Sequence, residues 1–276
     1  MGIRIVVDST ADLSPQLRER VTVVPLTIHF GEEEFVDGVN ITNSLFYRKL
    51  QESKVLPTTS QASPYAFAAA FGQAVADGDE VVAIVVSSKL SGTYQSALIG
   101  AEDYVGKVHV VDSRNIAIGS AILVEYALRL LDEGCSAAQI AQMVTQVRER
   151  VRLIAVVDTL EYLQRGGRLS KTAAIAGGIL SIKPIIALVD GEIKVLAKGR
   201  GNKQANQLMN QEIRKVGVDT SMPCMLGYTG TSNVLLRKYR QESEALWNAG
   251  IPEELVCGVV GTHAGPGAVA VAFFAQ

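Results

Sequence analysis

The chain has 276 residues, 48% of them apolar, with a formal net charge of −2 and a mean hydropathy of +0.21. The near-neutral charge argues against nucleic acid as a global partner. No apolar run makes a convincing membrane helix: "AAIAGGILSIKPIIALV" is broken at Lys183-Pro184, and "IAIGSAILVEYALRLL" carries Glu125.

The opening "MGIRIVVDST" runs straight into a strand with no cleavable signal region, so a soluble, cytoplasmic protein is expected. Cys135, Cys224 and Cys257 are far apart, without a CxxC. They read as three ordinary buried thiols of a reducing compartment. His29, His109 and His263 are too sparse for a zinc site, and no metal or cofactor is expected. High apolar content without a membrane span points to an apolar internal pocket.

In chain order, β-branched runs that end in polar turns predict strands at "IRIVVDST", "VTVVPLTIHF", "VVAIVVSS" and "KVHVVDS". Between them lie helical stretches. In "SPYAFAAAFGQAVADG", Ser63 suits the N-cap and Pro64 the first helical position. "GTYQSALIGAEDYV" is the second. This alternation predicts an α/β unit with a parallel sheet, and the continuous apolar run 81–86 fits a strand covered on both faces.

From Gly119 to Arg150 two helices are predicted, with Gly134 ending the first and Ser136 capping the second. "LIAVVDT" then restarts a strand. Asp190-Gly191 between two apolar runs is a hairpin signal, and a helix is predicted from about Asn233 to Ala249. A boundary near residue 150 therefore separates an N-terminal α/β domain (1–150) from a C-terminal α+β domain (151–276).

Four polar clusters could converge on a site. Asp8, Ser9 and Thr10 end the first strand, where α/β folds bind ligands, although an ordinary capped turn explains them as well. Thr58, Thr59 and Ser60 precede the helix at Pro64, whose free amides favour an anion. Ser87 to Ser96 carries six hydroxyls around Gly92. There Ser91 reads as the N-cap of a helix beginning near Gly92 or Thr93, and Gly92 allows close backbone approach. His263 lies in "GTHAGPGAVA", among Gly261, Gly265 and Gly267.

Residues 164–203 hold eight basic side chains (Arg165, Arg168, Lys171, Lys183, Lys194, Lys198, Arg200, Lys203) against two acidic ones (Asp190, Glu192). That concentration suggests a docking face for an acidic or phosphorylated partner. The chain lacks a GxxxxGK[ST] nucleotide loop and a GxSxG elbow. A Ser91–His263 acyl hydrolase remains an alternative reading, as does a regulatory binding protein for another amphipathic small molecule.

The ordered set "DSTADL", "PTTSQASP", "SSKLSGTYQSA", "VVDS", "LEYLQRGGRLS", "KPI" and "GTHAGPGA" resembles the DegV family over residues 3 to about 271. That family includes FakB-like proteins, the fatty-acid-binding subunits of bacterial fatty acid kinase. The resemblance implies a two-domain fold enclosing a long-chain fatty acid in an apolar tunnel. It further implies a separate ATP-using kinase subunit that phosphorylates the bound carboxylate to an acyl phosphate, and no catalysis by this chain alone. On the same basis Thr59 and Ser91, with Thr58, Ser60, Gly92 and Thr93 beside them, and His263 are the ligand-binding positions. Arg168 and Arg200 are the positions for partner docking or phosphoryl transfer. Transient contact with a membrane surface is compatible with such a carrier.

Overall fold

The computed structural model describes residues 2–169, 181–247 and 250–276. Strand β1 (Ile3–Asp8) is followed by a short helix α1 (Pro15–Arg18), capped by Ser14, and by β2 (Val21–Val24). The run "VTVVPLTIHF" is not one strand. Pro25 has no N–H to continue a ladder, and the Leu26 N–H is taken by Ser9 Oγ at 3.1 Å. The chain turns there and enters a second, antiparallel sheet with β3 (Thr27–Phe30) and β4 (Glu33–Val36).

Helix α2 (Asn43–Glu52) leads to β5 (Thr58–Ser60), which completes that small sheet in the order β4-β3-β5. Helix α3 (Pro64–Ala76) begins at the predicted cap: Ser63 Oγ accepts the Ala66 N–H, with Pro64 at the first position. The chain returns through β6 (Glu80–Val85), α4 (Thr93–Gly100) and β7 (Val108–Asp112) to give a four-stranded, all-parallel sheet in the order β2-β1-β6-β7.

Helix α5 (Ala117–Asp132) explains the near-membrane hydropathy of "IAIGSAILVEYALRLL". It packs against β1 and β6 on one side and against β8 (Val151–Val156), β11 (Met225–Tyr228) and β13 (Val269–Phe274) on the other. A helix buried all round is apolar all round. Among the described residues no helix is long and apolar enough to cross a membrane. Helix α6 (Ala137–Val147) has a full capping box between Ser136 and Gln139.

The second large sheet draws its strands from residues 151–274 in the order β10-β9-β8-β13-β11-β12. It is antiparallel except between β11 and β12 (Glu253–Leu255). Strands β9 (Ile182–Val189) and β10 (Glu192–Arg200) form the predicted hairpin. Asp190 and Gly191 have φ of 52° and 80°, the left-handed pair a two-residue turn demands.

Helix α7 (Glu161–Arg165) follows β8, and α8 (Gly201–Val216) and α9 (Val234–Glu242) cover the outer face of the sheet. Helix α9 is shorter than predicted, ending at Glu242; Ala249 and Lys171 lie outside the described residues. Helix α10 (Gly258–Ala264) carries His263. Of the thiols only Cys257 is buried; Cys135 and Cys224 are half-buried, contrary to expectation.

Candidate functional site

The carboxyl ends of β1 and β6 meet the inner face of the six-stranded sheet at a cavity of about 410 Å³, within the range of small-molecule sites. Its wall is mostly aliphatic, including Val86, Leu90, Ile116, Leu153, Ala155, Val157, Ile186, Leu188, Val259, Ala268 and Ala270. The polar lining residues are Thr10, Thr59, Ser60, Gln61, Ser91, Arg168, Thr229 and His263, with the backbone of Gly92.

Most of these polar groups form one closed circuit. Thr59 Oγ1 stands 2.9 Å from His263 Nε2. The His263 ring lies over Gly166, where a Cβ would collide with Nδ1. The Gly166 carbonyl accepts from Arg168 Nη1 at 2.6 Å, and Arg168 Nε donates to the Leu90 carbonyl at 3.1 Å. Next in the chain come Ser91 and Gly92. The space over Gly92 is taken by the Gln61 amide, which donates to Ser96 Oγ at 2.8 Å. Gln61 is two residues from Thr59, and the ring closes.

Each member is placed by a local cause. Thr59 is not in a pre-helical loop: it sits on β5, paired with Ile28 of β3, and strand alternation sends its neighbours the other way. Thr58 therefore lies outside the cavity wall and is exposed, and Ser60 Oγ is bonded to His29 Nε2 at 2.9 Å although the residue touches the cavity.

Helix α4 starts at Thr93 with Gly92 in the cap position, so Ser91 is not its N-cap. Ser91 Oγ instead accepts from the Thr93 N–H at 3.2 Å and lies 2.9 Å from Thr93 Oγ1. Thr93 is fully buried behind Ser91, away from the cavity wall. The glycines around His263 serve helix packing. A Cβ on Gly258 or Gly261 would run into Phe46 and Tyr47, so α10 can seat closely on α2. Gly265, at φ 70°, ends α10.

The N-terminal cluster is mostly structural. Asp8 accepts from Thr10 N, Thr10 Oγ1 and Val86 N, at 2.9, 2.6 and 2.6 Å, tying the ends of β1 and β6 together. Burial raises its pKa. Thr10 reaches the cavity but has given its proton to Asp8. Ser87, from the hydroxyl-rich turn, donates to the Gly191 carbonyl at 2.8 Å and anchors the hairpin tip.

The electrostatics of the polar end are simple. Arg168 has no ion-pair partner among the described residues, and burial lowers its pKa. Burial first, then the Arg168 charge, push His263 down from 6.5 to about 4, so the imidazole is neutral. Among the described residues, Nδ1 of His263 is buried without a hydrogen-bond partner. A Ser–His nucleophile would need Ser91 bonded to the imidazole and a carboxylate behind it; Ser91 is engaged with Thr93, and His263 with Thr59. Among the described residues no cluster of His, Cys, Asp or Glu is arranged to hold a metal ion.

Arg200 does not line the cavity; it ends β10 on the surface. Arg165, Lys183 and Lys194 of the basic tract are ion-paired with Glu161, Asp158 and Glu192. Lys198, Arg200 and Lys203 have no ion-pair partner among the described residues. Thr10, from the first polar cluster, does reach the cavity, whereas Gln61 and Thr229 were missed by sequence reasoning. Gln61 is inside the "PTTSQ" motif, which was its only signal.

An aliphatic cavity between two sheets is thus closed at one end by hydroxyls, a neutral imidazole and a guanidinium with no ion-pair partner among the described residues. The chain belongs to the DegV family, described as "Uncharacterised protein, DegV family", whose model matches residues 2–276. A DegV domain-containing protein of Caldanaerobacter subterraneus is 41% identical over 98% of both chains. A DegV family protein from Thermus thermophilus, described as fatty acid binding, superposes with a TM-score of 0.89 at 31% identity over 100% of both chains. The Streptococcus pneumoniae fatty acid kinase B3 protein, loaded with linoleic acid, superposes with a TM-score of 0.87 over 100% of both chains. At 23% identity that last likeness is one of fold.

Proposed function

We propose that the protein holds a long-chain fatty acid in this cavity and presents its carboxylate to a separate ATP-using kinase subunit, which phosphorylates it to an acyl phosphate. The observation that carries the reading is Arg168, without an ion-pair partner among the described residues, at the hydroxyl-lined end of an otherwise aliphatic cavity. The fatty acid binding described for the Thermus relative supports the same ligand class.

The energetics suit a carrier. About 14 methylenes at roughly 0.8 kcal/mol each give on the order of 11 kcal/mol before association costs. A buried carboxylate opposes this unless it is hydrogen-bonded, and Thr59 and Ser91 supply neutral donors for it. The acyl chain lies between the 1–150 and 151–276 units, with its head toward Arg168. Arg200, with Lys198 and Lys203, offers the positive surface for the kinase subunit, and ATP-dependent transfer places the pair in the cytoplasm.

The test is organic extraction and mass spectrometry of the purified protein, followed by addition of long-chain fatty acid. A stoichiometric fatty acid is expected. Recovery of a different amphiphile would assign another ligand, and neither endogenous lipid nor uptake of added acid would contradict the proposal. Acyl phosphate formation with a candidate kinase and ATP tests the second half.

A further inference from the structure

The "DSTADL" stretch carries a second carboxyl, Asp12, that the ligand cavity leaves unused. Asp12 and Asp37 line a separate polar cavity of about 60 Å³, where the chain leaves β1, β4 and β12 and enters α10. Both side chains are buried, at 5% and 2% exposure. Asp12 Oδ1 accepts the Cys257 N–H at 2.8 Å. Asp37 accepts the next N–H, that of Gly258, and the Ser9 hydroxyl. Two carboxyls that follow different strands thus hold consecutive amides where α10 begins. Asp12 Oδ2 is buried with no hydrogen-bond partner among the described residues.

The charges around the pair do not balance. Half-buried Glu254 of β12 lines the same cavity, and Asp8 at the end of β1 adds its charge to the field at Asp37. Tyr47 of α2 and the Cys257 thiol are buried and neutral, each held protonated chiefly by burial. The one cation among the described lining residues is Arg18, exposed at the mouth with its guanidinium over Gly38. Ionising both Asp12 and Asp37 would leave buried charge that an exposed guanidinium does not offset. Water entering the cavity supplies hydrogen bonds but no charge. Two carboxyls sharing one buried site instead retain a proton.

We infer that Asp12 and Asp37 form a carboxyl pair that holds one proton at neutral pH, and that this proton keeps the start of α10 seated on the ends of β1 and β4. Burial raises Asp12 well above the usual carboxylate range, against the Cys257 N–H and with the Asp37 charge. Burial likewise raises Asp37, to about 6. The consequence reaches the ligand cavity, because Val259, Val260, His263 and Ala264 of the same helix line it. The pair stands independently of the proposed function; only its effect on oleate rests on that reading.

Carbon-detected NMR titration of the full chain with labelled aspartate reads the pair without any ligand. The Asp12 carboxyl should remain protonated at neutral pH, with Asp37 titrating near 6. An Asp12 carboxyl that ionises near the ordinary value of about 4 would overturn the inference. Denaturant unfolding gives the linked effect. A proton held only by the folded chain raises the unfolding constant about tenfold per pH unit, so stability falls as pH rises toward the folded pKa. Asp12→Asn keeps an acceptor for the Cys257 N–H and has no proton to lose. It should gain on the wild type by that factor per unit between about pH 5 and 7. Parallel curves would contradict the pair, and if the variant does not fold the wild-type titration decides.

Oleate release from the wild type should quicken at alkaline pH, whereas release from Asp12→Asn should not. Equal pH dependence in the two would overturn the seating of α10 by the proton. A wild type that binds no oleate contradicts the proposed function alone. An Asp12 that ionises in the ordinary range, in a protein that does bind oleate, contradicts this inference alone.

Discussion

The two faces of the six-stranded sheet are made from the same strands for opposite ends. Toward α8 and α9, strands β8 and β13 present Ile154, Val156, Val269, Val271 and Phe273, all buried in one core with Met209, Tyr239 and Trp247. Toward the cavity the same strands and their approaches present Leu153, Ala155, Ala268 and Ala270. Protein interiors are packed almost without voids, so a cavity of this size exists where one face withholds side-chain volume. The period of two lets each strand fill one face and leave room on the other. The difference teaches that stability and ligand capacity are set by alternate residues of one segment.

That separation can be broken by mutation. Phe273→Ala, on the filled face, should cost about 3–5 kcal/mol of stability in denaturant unfolding while fatty acid affinity stays unchanged. A parallel fall in affinity would show that the faces are coupled.

The next effect belongs to the cavity face alone. Because the folded pKa of His263 lies near 4 against an ordinary 6.5, the unfolded chain takes up the proton first as pH falls. The stability of the neutral imidazole is thus complete above about 6.5 and is lost toward 4, on the order of 3 kcal/mol. Asp37, raised to about 6 chiefly by burial, acts in the opposite sense and gains stability as pH falls through 6. Comparing wild type with His263→Gln isolates the histidine: the variant should gain on the wild type between pH 6.5 and 4. Parallel stability curves would contradict the buried neutral imidazole.

Ala270→Leu should fill part of the cavity. Excluding about three methylenes of ligand at roughly 0.8 kcal/mol each weakens long-chain binding by about 2 kcal/mol. Shorter acids should be spared, and a chain-length series reads this directly. The smallest expected effect is Ser63→Ala, which removes the α3 cap and costs about 1 kcal/mol of stability with no change in ligand binding.

Much of this was legible in the residues where local chemistry decides. Asp190-Gly191 announces its turn because both positions need positive φ, and Ser63 and Ser136 announce their helices because a cap is a local hydrogen bond. Thr59, Ser91, His263 and Arg168 stood out through the resemblance of their motifs, and the structure brings all four to one cavity. Their partners were not legible, because they depend on tertiary placement. Nothing local says that Thr58 to Ser60 will pair with β3, which turns Thr58 outward. Nor does Thr93 look different from Ser91 until α4 begins one residue later than Gly92 and buries it. The alanines of β8 and β13 carry no signal until the sheet has a cavity on one side and helices on the other. Pro25 was the missed local cue: it splits one apolar run between two sheets.

The most direct test is a matched titration of the delipidated protein with stearate and with stearyl alcohol. The two ligands share the acyl chain and differ at the head. The hydroxyl-and-arginine end predicts tight, stoichiometric stearate binding and alcohol binding weaker by at least about tenfold, the difference of one charged hydrogen bond. Equal affinity for the two, or no binding of stearate, would contradict a cavity built to hold a fatty acid by its carboxylate.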